Sequence, residues 1–265
     1  MPNLTIQNTF NALKSKGEKA LIVFITAGDP HLRQLSGIIQ AVQEGGADII
    51  EVGVPFSDPI ADGNAIQAAS QRALDAGATT RGVLEALRVC KLETPVVLMG
   101  YYNPILRYGL QAYASAASSA GARGAIVCDL TPEEADGWIE ASREHQLDTI
   151  FLAAPTSTQR RLDIIAQRSS GFVYAVSRTG VTGTMDTVPP EALGLVRQIK
   201  ERTDTPVCIG FGISRPDHVK TVCEVADGAV VGSAIVNLIH QTWQNGAGAA
   251  KLTSAVRELK AATNL

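Results

Sequence analysis

Glu51 stands inside an otherwise apolar run, Asp48–Val54 (DIIEVGV). A carboxylate among Ile49, Ile50, Val52 and Val54 is costly to bury unless it is paired or kept protonated. One reading is a satisfied structural carboxylate. The other is a proton-transfer group whose pKa is raised by its apolar setting. Asp58 and Asp62 follow in SDPIADG. An acidic loop bearing Pro and Gly is often only a turn, yet a strand-borne glutamate beside a loop aspartate can set two carboxylates on one substrate.

A second group is rich in glycine: Gly180 and Gly183 in SRTGVTG, Gly210 and Gly212 in GFGIS, and Gly232 with Ser233 in VVGSAIV. Backbone N–H groups in such turns, together with the positive end of a following helix, hold phosphates. Any one of these motifs is equally an ordinary turn, but the three together favour a phosphate site. They contain no lysine, so binding would rest on backbone amides and Ser233. Other chemistries find no support. His31, His145, His218 and His240 lack metal-ligand spacing, so no metal site is expected. No apolar run contains a lysine for a Schiff base, and there is no GxSxG elbow.

The elements that must position these residues are legible as alternation. Short runs rich in Val and Ile lie at Leu21–Thr26, Asp48–Val54, Val96–Gly100, Ala125–Asp129, Thr149–Ala153, Phe172–Ser177, Val207–Phe211 and Gly228–Gly232. Consecutive apolar positions suit strands covered on both faces, which predicts a parallel sheet. Amphipathic helical patterns fall between them: Pro132–His145 with Thr131 as N-cap, Arg160–Arg168, Glu191–Arg202 and Pro216–Val225. Eight such repeats predict a closed (β/α)8 TIM barrel. The competing open doubly wound sheet would want GxGxxG after the first strand, where AGDP stands instead. The segment Leu4–Lys16 is expected as an extra N-terminal helix covering the barrel floor. The longest intervals follow the second and sixth runs (PFSDPIADGNAIQ and RTGVTGTMDTVPP). Both loops would lie on the C-terminal face, where barrel chemistry collects. With no linker or composition break, residues 1–265 are expected to form a single domain.

Composition narrows the class. The chain is 45% hydrophobic and 18% charged, and 23 Lys and Arg against 26 Asp and Glu leave a net charge of −3. Without a long basic run, neither nucleic acid nor an anionic membrane is expected as a partner. The first residues, MPNLTIQNTFNALKSKGEKA, lack the apolar stretch of a secretory signal, and no run is long enough for a membrane span. Cys90, Cys128, Cys208 and Cys223 show no paired spacing and read as reduced thiols of a cytoplasmic protein.

The motifs EVGVPFSDPIADG with Ala65-Ile66-Gln67, SRTGVTG, GFGIS and VGSAIV resemble the tryptophan synthase alpha subunits, and the resemblance spans essentially the whole chain. It implies cleavage of indole-3-glycerol phosphate to indole and glyceraldehyde 3-phosphate by a retro-aldol step. It further implies a pyridoxal-phosphate beta subunit as partner, in an α2β2 tetramer that receives the indole through a tunnel. On the resemblance, Glu51 is the general acid/base and Asp62 stabilises the indole N–H as the ring becomes cationic. Tyr174 is the active-site tyrosine; Gly183, Gly212, Gly232 and Ser233 cradle the phosphate. Phe24, Tyr101, Ile126 and Phe211 line the indole slot, and Thr182 closes the site over Asp62. Asp58, Pro59 and Asn103 meet the beta partner. Such a cleavage moves protons but needs no electron sink, so no cofactor is expected in this chain. The sequence departs from the family where Asn64 and Ala65 replace the usual proline pattern, which predicts a looser loop beside Asp62. Other readings stay open: a stand-alone lyase releasing free indole, a non-catalytic phosphate-binding barrel subunit, or a ribose-phosphate isomerase barrel.

Overall fold

The computed structural model describes residues 4–176, 188–210 and 212–264. Among these, nine strands form one parallel sheet: β1 (Ala20–Thr26), β2 (Ile49–Gly53), β3 (Val96–Gly100), β4 (Ala122–Val127), β5 (Asp148–Ile150), β6 (Leu152–Ala153), β7 (Val173–Val176), β8 (Val207–Gly210) and β9 (Gly228–Val231). Their spatial order is β5-β4-β3-β2-β1-β9-β8-β7-β6. Because β5 and β6 are one stave interrupted at Phe151, the order returns to its start and the sheet closes as a TIM-like barrel.

The strands sort their side chains by alternation. Leu21, Val23, Ile25, Ile50 and Val52 pack outward against the helices, while Ile22, Phe24, Ile49, Val97, Ile126 and Tyr174 fill the interior. Register sets the interior in layers: Phe24 lies opposite Glu51, and Glu51 opposite Val97. Close approach governs two interior glycines. A Cβ at Gly53 would lie 2.5 Å from Cζ of Phe24, and one at Gly210 would overlap the Tyr174 hydroxyl.

Helix Ile6–Lys16 is the expected N-terminal addition. Thr5 caps its start by accepting from Asn8 N–H at 3.1 Å, and Gly17 ends it in the left-handed region. Its apolar stripe, Ile6, Phe10 and Leu13, is buried in the interior cluster with Ile22, Ile49 and Phe172. That places the helix as a plug in the N-terminal mouth, and each large side chain so buried contributes up to roughly 1.5–3 kcal/mol.

Several expected boundaries need correction. The strand expected at Ala125–Asp129 begins at Ala122, because Ala122 and Gly124 already pair with Val96 and Val97. The run Thr149–Ala153 breaks at Phe151. The long interval after β2 is not all loop: it holds two helices, Asn64–Asp75 and Thr80–Arg88. The helix expected over Pro132–His145 opens with a separate 3-10 turn, Pro132–Glu134, before Asp136–Glu144. Thr131 makes no side-chain cap bond there; its hydroxyl donates to Glu134 Oε2 at 3.3 Å instead. Ser177 and Phe211, expected at strand ends, lie outside the described residues, as do Gly180, Thr182 and Gly183. Among the described residues, no helix is long and apolar enough to cross a membrane.

Candidate active site

Glu51 points inward from the middle of β2. It is 1% exposed, and neither carboxylate oxygen has a hydrogen-bond partner among the described residues. Burial, and secondarily the nearby Asp62 carboxylate, push its pKa up to about 8. A carboxyl in this setting is protonated at neutral pH, as an acid awaiting a substrate must be.

Asp62 is held above it on the loop between β2 and helix Asn64–Asp75. Burial raises its pKa to about 6, and hydrogen bonding to Tyr101 pulls the other way. The pair is thus split: between these two values Asp62 is ionised while Glu51 keeps its proton. Its Oδ1 is buried without a partner among the described residues.

The loop is pinned from three sides. Ala61 N–H donates to the Tyr101 hydroxyl at 3.0 Å, and the Phe56 ring stacks on Tyr101 with centroids 5.1 Å apart. Ser70 Oγ accepts from Phe56 N–H at 2.9 Å and donates to Phe56 C=O at 3.0 Å. Gln67 Nε2 donates to the Asp62 carbonyl at 2.8 Å. Beside Asn64 and Ala65 the loop is thus held by Gln67 and Ser70 of the helix and by Tyr101 after β3.

A small pocket opens beside Glu51. Phe24, Ile66, Met99, Val230 and Tyr174 supply apolar and aromatic wall, while Gly212, Gly232 and Ser233 close the opposite side. Helix Ser233–Thr242 begins at that side, and its first intrahelical bond runs from Val236 N–H to Gly232 C=O. The N–H groups of Ser233, Ala234 and Ile235 are thereby left unpaired within the helix, a feature suited to an anion.

The structure brings together Phe24, Glu51, Tyr174, Gly212, Gly232 and Ser233 from the sequence-derived set. Ile126 lies in the same interior cluster, in register with Met99. Tyr101 braces the Asp62 loop, through its bond from Ala61 N–H and its stacking on Phe56. Asp58 is exposed and Pro59 half-buried in the segment after β2, and Asn103 is exposed in helix Tyr102–Tyr108. Thr182, Gly183 and Phe211 lie outside the described residues. Sequence reasoning missed Met99, Val230 and Ile66. The first two were recoverable from strand alternation, since they occupy inward positions of β3 and β9. Among the described residues, no cluster of His, Cys, Asp and Glu could hold a metal ion.

Comparison with known proteins agrees with the geometry. Residues 10–264 match the family described as tryptophan synthase alpha chain. The tryptophan synthase alpha chain of Solibacter usitatus is 47% identical over 257 residues, covering 96% of each chain. That of Geobacter sulfurreducens is 48% identical, covering 96% of this chain and 97% of its own. Among solved structures, Mycobacterium tuberculosis tryptophan synthase superposes with a TM-score of 0.90 at 38% identity, covering 98% of both chains. Tryptophan synthase subunit alpha from Legionella pneumophila gives 0.87 at 36% identity, again over 98% of both. With sequence and barrel matched from end to end, the chain belongs to the tryptophan synthase alpha chain family and serves in tryptophan biosynthesis.

Proposed function

We propose that Glu51 and Asp62 divide the work of the indole-3-glycerol-phosphate lyase reaction, and that the buried, unpartnered Glu51 carboxyl carries the chemistry. The substrate's dianionic end sits against Gly212, Gly232 and Ser233, held by the free N–H groups of helix Ser233–Thr242. Its flat ring packs on the apolar wall. The protonated Glu51 gives its proton to the ring carbon that bears the glycerol chain. The ring nitrogen then carries positive charge, which the Asp62 carboxylate stabilises. Glu51, now ionised, takes the proton of the glycerol hydroxyl. The carbon–carbon bond breaks, its electron pair returns to the ring, and indole and glyceraldehyde 3-phosphate leave. One proton goes out and one comes back, so the enzyme ends as it began.

Gly183 would complete the phosphate cradle and Thr182 the closure over Asp62. Tyr174 and Phe24 would flank the ring, with Ile126 in the same interior and Tyr101, which also holds the Asp62 loop, and Phe211 completing the slot. We read residues 1–265 as one domain, supported by a single sheet that takes in every described strand. The partner we propose is the beta subunit, a pyridoxal-phosphate enzyme, in an α2β2 assembly in the cytoplasm. Supporting this, Ile60 is 81% exposed and Leu106 54% exposed. Ile60 adjoins Asp58 and Pro59, and Leu106 follows Asn103 in helix Tyr102–Tyr108. Large apolar side chains bared at a reactive mouth fit a surface covered by a partner.

The test is cleavage of indole-3-glycerol phosphate by the purified chain, with and without a tryptophan synthase beta subunit. Slow indole release that rises about tenfold or more with the partner is expected, within the usual range of coupling between sites. Fast release indifferent to the partner would make the chain a stand-alone lyase, and no release would overturn the assignment of the site.

A further inference from the structure

We infer that Arg72 and Asp29 are positioning residues for Asp62, acting at a distance through helix Asn64–Asp75. This rests on the reading of Asp62 given above. Asp29 is 3% exposed, in the turn that follows β1. Arg72 grips it with both arms of its guanidinium: Nε donates to Oδ1 at 3.0 Å and Nη2 to Oδ2 at 2.6 Å. A bidentate pair fixes angle as well as distance, which a lysine's point charge does not. The same turn touches the helix again. Gly28 has φ +96°, and a Cβ on it would come within 2.8 Å of Ala78 Cβ and 3.0 Å of Ala73 Cβ. The C-terminal half of the helix is thus bolted to the barrel wall.

The other half carries the reactive loop. Gln67 donates to the Asp62 carbonyl at 2.8 Å and to the Pro59 carbonyl at 3.4 Å, while Ser70 holds both backbone groups of Phe56. The N-cap of this helix, Gly63, supplies no side-chain cap bond of its own. The helix runs without a break from Asn64 to Asp75, so its tilt at Arg72 bears on the position of Gln67 and Ser70, and through them on that of Asp62. Glu51 on β2, Tyr101 after β3, Cys128 after β4 and Tyr174 on β7 all face Asp62 electrostatically. A small displacement of the loop changes that whole environment.

The experiment uses the full chain carrying Arg72→Lys, which keeps the charge but not the fork, with Gln67→Met as a second variant that leaves the buried pair intact. Asp62→Asn is measured alongside. We expect both variants to lose about tenfold or more in kcat, since misplacement by an ångström from a remote site can cost that much. KM should stay within about twofold, because the phosphate side of the cavity is untouched. The acid limb of the kcat–pH profile should shift in both, whereas a merely structural pair would lower Tm and leave that limb in place. An Arg72→Lys protein with wild-type kcat and acid limb overturns the inference, whatever its Tm. If Asp62→Asn is itself fully active, the reading of Asp62 fails; if Asp62→Asn is impaired and Arg72→Lys is not, only the positioning role fails.

Discussion

Asp48 and Glu51 are three positions apart at one strand, yet the barrel treats them in opposite ways. Asp48 stands at the floor, where its Oδ2 accepts from Leu21 N–H at 2.7 Å and from Lys260 Nζ at 2.8 Å. Burial raises its pKa, and these two partners draw it back. Lys260 also donates to the Lys19 carbonyl at 3.2 Å, so the last helix is stitched to the floor through one ammonium. Glu51 stands further along β2, more deeply buried than the half-buried Asp48 and with no such partner among the described residues, and nothing draws it back. The difference teaches what separates a structural carboxylate from a reactive one here. Depth of burial and the presence of a partner decide it together.

The first way to break the comparison is to remove the proton and keep the shape. Glu51→Gln should fold normally and lower kcat for indole-3-glycerol phosphate cleavage by at least ~10², the lower range of a general acid/base contribution. Steady-state indole release checks it, and near-normal turnover would reduce Glu51 to a second structural carboxylate. Next in size is a charge at the phosphate side. A Cβ at Gly232 would meet Phe24 Cβ at 3.4 Å and Ile66 Cδ1 at 3.6 Å, ordinary contacts, so Gly232→Asp acts through its charge. We expect KM to rise about tenfold or more by like-charge repulsion of the dianion, with Gly232→Ala close to wild type. The paired titration comes third. With Asp62 near 6 and Glu51 near 8, kcat/KM should be bell-shaped, rising through the first value and falling through the second. A rate flat from pH 5 to 9 would contradict the split.

The smallest effects sharpen the contrast through stability. Asp48→Asn should lower stability by roughly 1–3 kcal/mol, since it weakens two part-buried bonds, and leave kcat unchanged. Glu51→Gln should do the reverse. The folded chain holds the Glu51 proton to about 8, against an ordinary value of 4.5. The folded state therefore binds more protons than the unfolded one in that window, and stability falls as pH rises through it. Glutamine carries no such penalty. Its advantage in Tm over wild type should be larger at pH 9 than at pH 5, as thermal unfolding at the two pH values will show.

Much of this fold is written locally. Parallel barrel strands are covered on both faces, so runs such as Leu21–Thr26 and Val96–Gly100 announce themselves. The N-terminal plug is legible from Ile6, Phe10 and Leu13 on one helical face. Local pattern fails where pairing overrides composition. Arg123 and Gly124 disguise the start of β4, and the single residue Phe151 breaks a stave that looks continuous. The site divides along the same line. Glu51 is conspicuous as a charge in an apolar run, and the glycines of the phosphate side stand in short motifs. The role of Tyr101 depends on a bond to Ala61, 40 positions away, and the grip of Arg72 on Asp29 spans 43. Neither leaves a trace in spacing or periodicity, because each is created only when the barrel closes.

The claim on which the rest depends is that the chain keeps a protonated carboxylic acid in its interior at neutral pH. Infrared difference spectra of wild type against Glu51→Gln, recorded from pH 4 to 10, test it directly. The account predicts a protonated carboxyl band present at pH 7, lost with a midpoint near 8 and absent from the variant. A band lost near the ordinary value of 4.5 would contradict it.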